Sequence, residues 1–209
     1  MITSTTQTPI QGHYGDSPAG RVKSVAPGLN IVRYLSRQQH VQFRESSKWL
    51  QYLDYEGLRD VAQFYRQNDF PQHGLSEQYQ RCARALIWGK PPSQAAMAED
   101  AKQDRPTGMP LELIFLDNPF TNSSEMFTLK LLYLSKPIAD IQVRIFYRPS
   151  AQKDKVVDTI ARTDQHGAVG LPRFGPGDYL LNAVHLIPAA PGQQADWQSY
   201  WASLSFTLE

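Results

Sequence analysis

The sequence predicts a mainly β protein with a helical segment, its C-terminal half an antiparallel β-sandwich, and three observations carry that expectation. From residue 109 onward, apolar side chains recur at every second position. Turns rich in glycine, proline and aspartate interrupt them at short intervals. No helical crossover of the kind parallel strands require separates one run from the next.

The strands follow in order. Leu111, Leu113 and Phe115 open the series, Phe127, Leu129, Leu131 and Tyr133 continue it, and Ile141, Val143, Ile145 and Tyr147 fill a third face. Lys136-Pro137 supplies a turn and Pro149 to Asp154 a polar loop. Val156 to Thr163 is the next strand, closed by Asp164-Gln165-His166-Gly167, whose glycine accommodates positive φ. After Val169 to Leu171, Gly175-Pro176-Gly177-Asp178 turns into Tyr179 to Ile187. The last strand, about Trp201 to Leu208, points Leu204, Phe206 and Leu208 inward and Ser203, Ser205 and Thr207 outward. Seven short strands in about 100 residues are best satisfied by two packed antiparallel sheets.

The first half is read differently. Residues 1–27 predict irregular backbone, and Leu29 to Leu35 and Val41 to Phe43 predict two short strands. Two strands cannot bury a core alone, so they must lie on the following helices or on the C-terminal domain. Ser46 or Ser47 caps a helix over about 46–67, in which Leu50, Leu53, Val61, Phe64 and Tyr65 recur at helical spacing and Gly57 marks a weak middle. A second helix is expected over about 76–88, where Tyr79, Cys82, Ala83, Leu86 and Ile87 form a stripe and Glu77 stands four residues before Arg81. Lys90 to Gly108 reads as a proline-containing linker with a helical turn at Ala95 to Ala101. The expected organisation is a reduced N-terminal part over 1–102, with short strands and two helices, and a sandwich domain over 109–209.

Composition narrows the function. The 209 residues are 41% hydrophobic and 20% charged, as in a globular protein, and the formal charge of +1 provides no field to steer the chain to nucleic acid. The apolar runs are too short to form a transmembrane segment. Cys82 is the only cysteine, which excludes an intrachain disulfide and a cysteine-based zinc site, and its place on an apolar stripe marks it as a core residue. Met1 to Gln11 lacks the apolar centre of a signal peptide and reads as a trimmed or mature start. The five histidines show no HxH, HxxH or HExxH spacing, no serine stands in a nucleophile elbow, and Gly12 to Gly20 lacks the Lys-Ser/Thr ending of a phosphate loop. The expectation is a protein that is not an enzyme.

The residues that bear chemistry are few. His185 is phased with Leu181, Ala183 and Ile187, where a buried imidazole needs a partner, and Glu77, Asp196 and Glu112 are candidate carboxylate companions. The candidate metal set is His185, Glu77 and Asp196. Trp197, Tyr200 and Trp201 form an aromatic group that either packs on the sandwich edge or presents an interaction surface. His166 belongs to a solvated hairpin tip, and His13, beside Tyr14 and Asp16, sits in a loop or a ligand seat.

The segments GDSPA (15–19), YLDYEGL (52–58), EQYQRCARAL (77–86) and LELIFLDNP (111–119) resemble the DUF4198 domain proteins. So do Lys136-Pro137 leading to Val143, Thr163-Asp164 with Gly167, Pro176-Gly177-Asp178-Tyr179, Ala183-Val184-His185, and Asp196-Trp197 with the strand after it. The resemblance implies a periplasmic or cell-envelope location and an association with nickel and cobalt uptake. Its turns are shared more loosely with carboxypeptidase-regulatory-like, Ig-like and transthyretin-like sandwiches. Typical relatives carry a His-Glu-Phe-Trp-like segment at the mature N-terminus, which this chain lacks. The implied function is a non-catalytic accessory or binding protein for a divalent metal ion such as Ni, Co or Zn, working with an envelope or transporter protein partner. The alternative is an interaction or structural envelope module without metal.

Overall fold

In the computed structural model, which describes residues 1, 7–11, 15, 17, 21–22, 25–71, 74–90 and 103–209, the alternation becomes two stacked sheets. The larger has seven strands. Across it run β1 (Gly28–Leu35), β3 (Leu75–Gly89), β11 (Trp197–Leu208), β10 (Gly177–Pro188), β7 (Gln142–Pro149) and β8 (Val157–Arg162), with β2 (Gln39–Phe43) also paired to β3. The smaller contains β4 (Leu111–Phe115), β5 (Met126–Tyr133), β6 (Lys136–Pro137) and β9 (Ala168–Pro172). All pairings are antiparallel except β3 with β11, which run parallel from Glu77–Trp197 to Ala85–Ser205. Two helices, α1 (Ser46–Tyr55) and α2 (Arg59–Gln67), connect β2 to β3. No helix among the described residues is long and apolar enough to cross a membrane.

The core is the space between the sheets. Phe127, Tyr179 and Phe206 meet there, with Tyr179 stacked on Phe206 at 4.9 Å between ring centroids and Phe127 edge-on to both. Leu204, Phe206 and Leu208 are buried as their alternation requires. Leu29, Ile31, Cys82 and Leu86 from the first half of the chain lie in the same core. Core and larger sheet therefore both cross the boundary expected between residues 102 and 109. Burial also pushes the Cys82 thiol up to about 11, which keeps it protonated and inert.

The helix expected over 76–88 is strand β3, at 15 residues the longest strand among the described residues. Its inward face is Cys82, Arg84 and Leu86, a strict period of two that an arginine in the middle conceals. Glu77 and Arg81, read as a helical i,i+4 pair, share the outward face because four residues also preserve side in a strand. The first expected helix exists in two pieces. Gly57, at φ +69°, ends α1, and a Cβ there would come within 2.5 Å of the Gln142 side-chain oxygen. Glu45 occupies the N-cap of α1, and Ser46 is its first helical residue. The helical turn expected at 95–101, and the loop with His13, Tyr14 and Asp16, lie outside the described residues.

A buried ion cluster joins the two halves. Arg84 reaches inward from β3 to Asp104, at 2.5 Å, and both side chains are fully buried. The same guanidinium donates to the carbonyls of Leu113 and Arg105. Asp104 accepts from the backbone N–H of Arg105 and Phe115, while Glu112 on β4 accepts from the N–H groups of Thr107, Gly108 and Met109. Every carboxylate left without the guanidinium would be a buried uncompensated charge. Arg84→Ala is expected to cost about 3–5 kcal/mol of unfolding free energy, read as a lower urea midpoint. Arg84→Lys, which keeps the charge but not the fork, should lose less, and an unchanged midpoint for Arg84→Ala would remove this cluster from the account of the fold.

Candidate functional site

The outer face of the larger sheet is covered at one end by α1 and α2. The covering surface is aromatic: Trp49, fully buried, lies 4.8 Å from Phe43, 5.5 Å from Tyr52, 6.0 Å from Tyr65 and 6.1 Å from Trp197. Trp197 donates its indole N–H to the Tyr65 hydroxyl at 3.3 Å, whereas the Trp49 N–H has no acceptor among the described residues. The carbonyl end of α1 is tied to the sheet by cations and an amide, a favourable match for unpaired C-terminal carbonyls. Gln142 and Arg144 donate to the Tyr55 carbonyl, and Arg162 donates to that of Gly57.

Under α1 lies a buried polar group. Glu77, on the outward face of β3, accepts from the Ser199 hydroxyl and, at 3.2 Å, from the Tyr52 hydroxyl; the Trp201 indole N–H donates to the Ser199 oxygen at 3.0 Å. Burial raises the Glu77 carboxyl above its ordinary range, against the lowering effect of these hydrogen bonds. Burial also raises Tyr52, with the Glu77 charge adding to it. At the end of α1, burial pushes Glu56 up to about 7, Arg144 opposing the rise and Glu77 adding to it. Two carboxyl groups with raised pKa values thus share the layer under the helical cover.

His185 is on the opposite face. Its ring meets Tyr133 edge-on at 4.6 Å between centroids and is paired across the strands with Tyr200, which lies 5.4 Å from Tyr133. The imidazole is half-buried and makes no hydrogen bond to a described residue; burial lowers its pKa, so it is neutral at pH 7.

Beside it the larger sheet splits. β10 pairs with β11 along its whole length but with β7 only from Gly177–Pro149 to Ala183–Val143. Beyond that point the chain before β7 is pulled away, with Ile138 donating to Leu131 of the smaller sheet and Asp140, at φ +55°, donating to Thr163. The result is a cleft of about 210 Å³. One wall is three consecutive residues of β10, Val184 to Leu186; another is Ala139 to Gln142; the N-terminus of α2 from Gly57 to Val61 forms the third. Arg162 at its rim is held by Asp140 at 2.5 Å, while Arg59 and Asp60 bring opposite charges to the mouth.

The sequence-predicted residues are distributed as follows. His185 has the inward phase expected of it and opens on the cleft. Glu77 lies on the other face of the sheet, and Asp196 accepts from the backbone N–H and hydroxyl of Ser76 at 2.8 and 2.7 Å. Among the described residues no three His, Cys, Asp or Glu side chains are grouped to hold a metal ion. Trp197 and Trp201 share the helix-covered face, where Trp201 stacks on Tyr52 and lies under the Arg81 guanidinium; Tyr200 points to the sandwich interior. His166 is exposed in its turn. Sequence reading assigned no site role to Tyr52, Glu56 or Ser199, because no local spacing sets them beside Glu77.

Fold and site together define a mainly β, two-sheet sandwich protein with a helix-covered face and a cleft where one sheet divides. The chain belongs to the DUF4198 family: the family model, described as a domain of unknown function, matches residues 3–187, which extend to the penultimate residue of β10. No curated protein and no solved structure matches the chain.

The raised Glu56 carboxyl carries a sign that can be measured. A carboxyl whose folded pKa stands above its unfolded 4.5 gives stability that is complete below 4.5 and is lost as pH rises to about 7. The Tm of the protein should therefore fall between those values, and Glu56→Gln should flatten the fall and raise Tm at pH 8. Comparison with the variant isolates Glu56 from His185, whose lowered pKa acts in the opposite sense below 6.5. Parallel Tm curves for the two proteins would contradict the assignment.

Proposed function

We propose that this chain is a non-catalytic accessory or binding protein of the periplasm or cell envelope, acting on the route by which a divalent transition metal such as nickel or cobalt is taken up. The observation that carries the metal reading is the His185 imidazole: neutral at pH 7, without a hydrogen bond to any described residue, and open to a cleft that Asp60 and Asp140 also line. Neutral imidazole is the nitrogen donor these metals favour. With no three-ligand group among the described residues, the ion keeps ligands of its own when it binds. The family resemblance supports the envelope location and the metal class.

A second reading is favoured by the divided sheet. A strand edge left without a neighbour is a site for protein contact, which serves an envelope or transporter partner without any metal. Calorimetric titration of tag-free, metal-free protein with nickel, cobalt and zinc separates the two. The metal reading expects saturable binding that His185→Ala abolishes, while Glu77→Gln and Asp196→Asn leave it intact because their side chains lie away from the cleft. Absence of binding down to about millimolar would sink it.

A further inference from the structure

The divided edge of β10 has unpaired main-chain groups. Ser150 donates its N–H to the Pro176 carbonyl, so even-numbered residues of β10 turn their main-chain groups toward β7; Ala189 donates to Asp196, so odd-numbered ones face β11. This alternation is fixed by the pleat. Past Ala183–Val143 the even residues are Val184, Leu186 and Pro188. Pro188 has no N–H. Leu186 therefore directs one N–H and one C=O into the cleft, with no partner for either among the described residues, although the residue is only 8% exposed. Buried main-chain groups are almost always paired, and an orphan pair at a cavity points to a ligand that supplies the missing partners.

The ligand chemistry follows from the geometry of the walls. Val184, His185 and Leu186 are consecutive, so the cleft runs along the edge of the strand rather than over one face. The opposite wall, Ala139 to Gln142, is the stretch that would have continued β7. A residue inserted opposite Leu186 exchanges both hydrogen bonds with it, as in an antiparallel narrow pair. On the helix-covered side its neighbours meet Leu58, Val61 and Val184; on the other they meet His185 and Ile141. The charges at the mouth, Arg59 with Asp60 and Arg162 with Asp140, balance, so backbone pairing and aliphatic contact select the occupant rather than charge.

We propose that this slot is a strand-addition site, which takes an extended segment of a protein partner with aliphatic side chains at alternate positions and pairs it with Leu186. The inference deepens the second reading above and is independent of metal.

The test uses the full chain, in chelator, with the peptide acetyl-Val-Thr-Val-Thr-Val-amide followed by ¹⁵N-resolved NMR. Expected are saturable shifts centred on the amides of Leu186 and His185, with a Kd of roughly 0.1–1 mM, and at least tenfold weaker binding when the central valine is N-methylated. N-methylation removes a backbone donor without touching the protein, so folding does not confound the comparison. Three results would overturn the proposal: no saturable shift at about 5 mM peptide, equal affinity for the N-methylated peptide, or shifts centred on the edges of β1 or β8. The last would retain protein docking as the second reading while removing this slot. None of the three bears on the metal titration.

Discussion

Arg84 is the constraint on which the remaining structure depends. It stands at an inward position of β3, where a long cation is tolerated only if its charge is matched, and Asp104, from the segment leading into β4, and Glu112, on β4, match it. This fixes three things together. The inward face of β3 is settled, the chain after residue 103 is brought back across the sandwich, and the start of the smaller sheet is placed opposite the larger one. β3 lies inside the larger sheet, flanked by β1 and β11, where its inward face presents Arg84 to the core.

That placement also explains why the outer face needs a cover. β3 and β11 turn Glu77, Trp197, Ser199 and Trp201 outward at the end where they begin to pair, a mixture of aromatic and polar groups that water would hydrate only in part. α1 and α2 bring Trp49, Tyr52 and Tyr65 to this face, and the hydroxyls of Tyr52 and Tyr65 supply hydrogen bonds that an aliphatic cover would lack. The cost is a carboxylate held away from solvent, visible in the raised Glu77 and Glu56 groups.

The C-terminal strands were legible because each has one filled face: Leu204, Phe206 and Leu208 alternate with small polar residues without exception. β1 and β2 were legible only as short apolar runs, since β1 buries four consecutive residues and β2 is exposed except at Phe43. β3 was not, since its buried arginine breaks the apolar alternation and its spacing at four residues is common to helix and strand. The division of α1 from α2 was half visible in Gly57, but the Gln142 side chain that fills the space a Cβ would need there comes from far along the chain. The polar layer was illegible in principle. Tyr52 and Glu77 are 25 residues apart and Glu77 and Ser199 are 122 apart, so no local spacing relates them. His185 was correctly phased by alternation, whereas its expected companions Glu77 and Asp196 were chosen by residue type, which carries no information about the side of a sheet on which they fall.

The cleft and the buried carboxylates are linked by a single stretch of backbone. Glu56 is the last buried acid before Gly57, and Gly57 is where the helical wall of the cleft begins. Arg162 holds the Gly57 carbonyl, while Gln142 and Arg144 hold the Tyr55 carbonyl, so residues 55–57 are fastened to the larger sheet at both ends. The desolvation that raises Glu56 is thus maintained next to the hydrogen bonds that hold the helical wall of the cleft against the sheet.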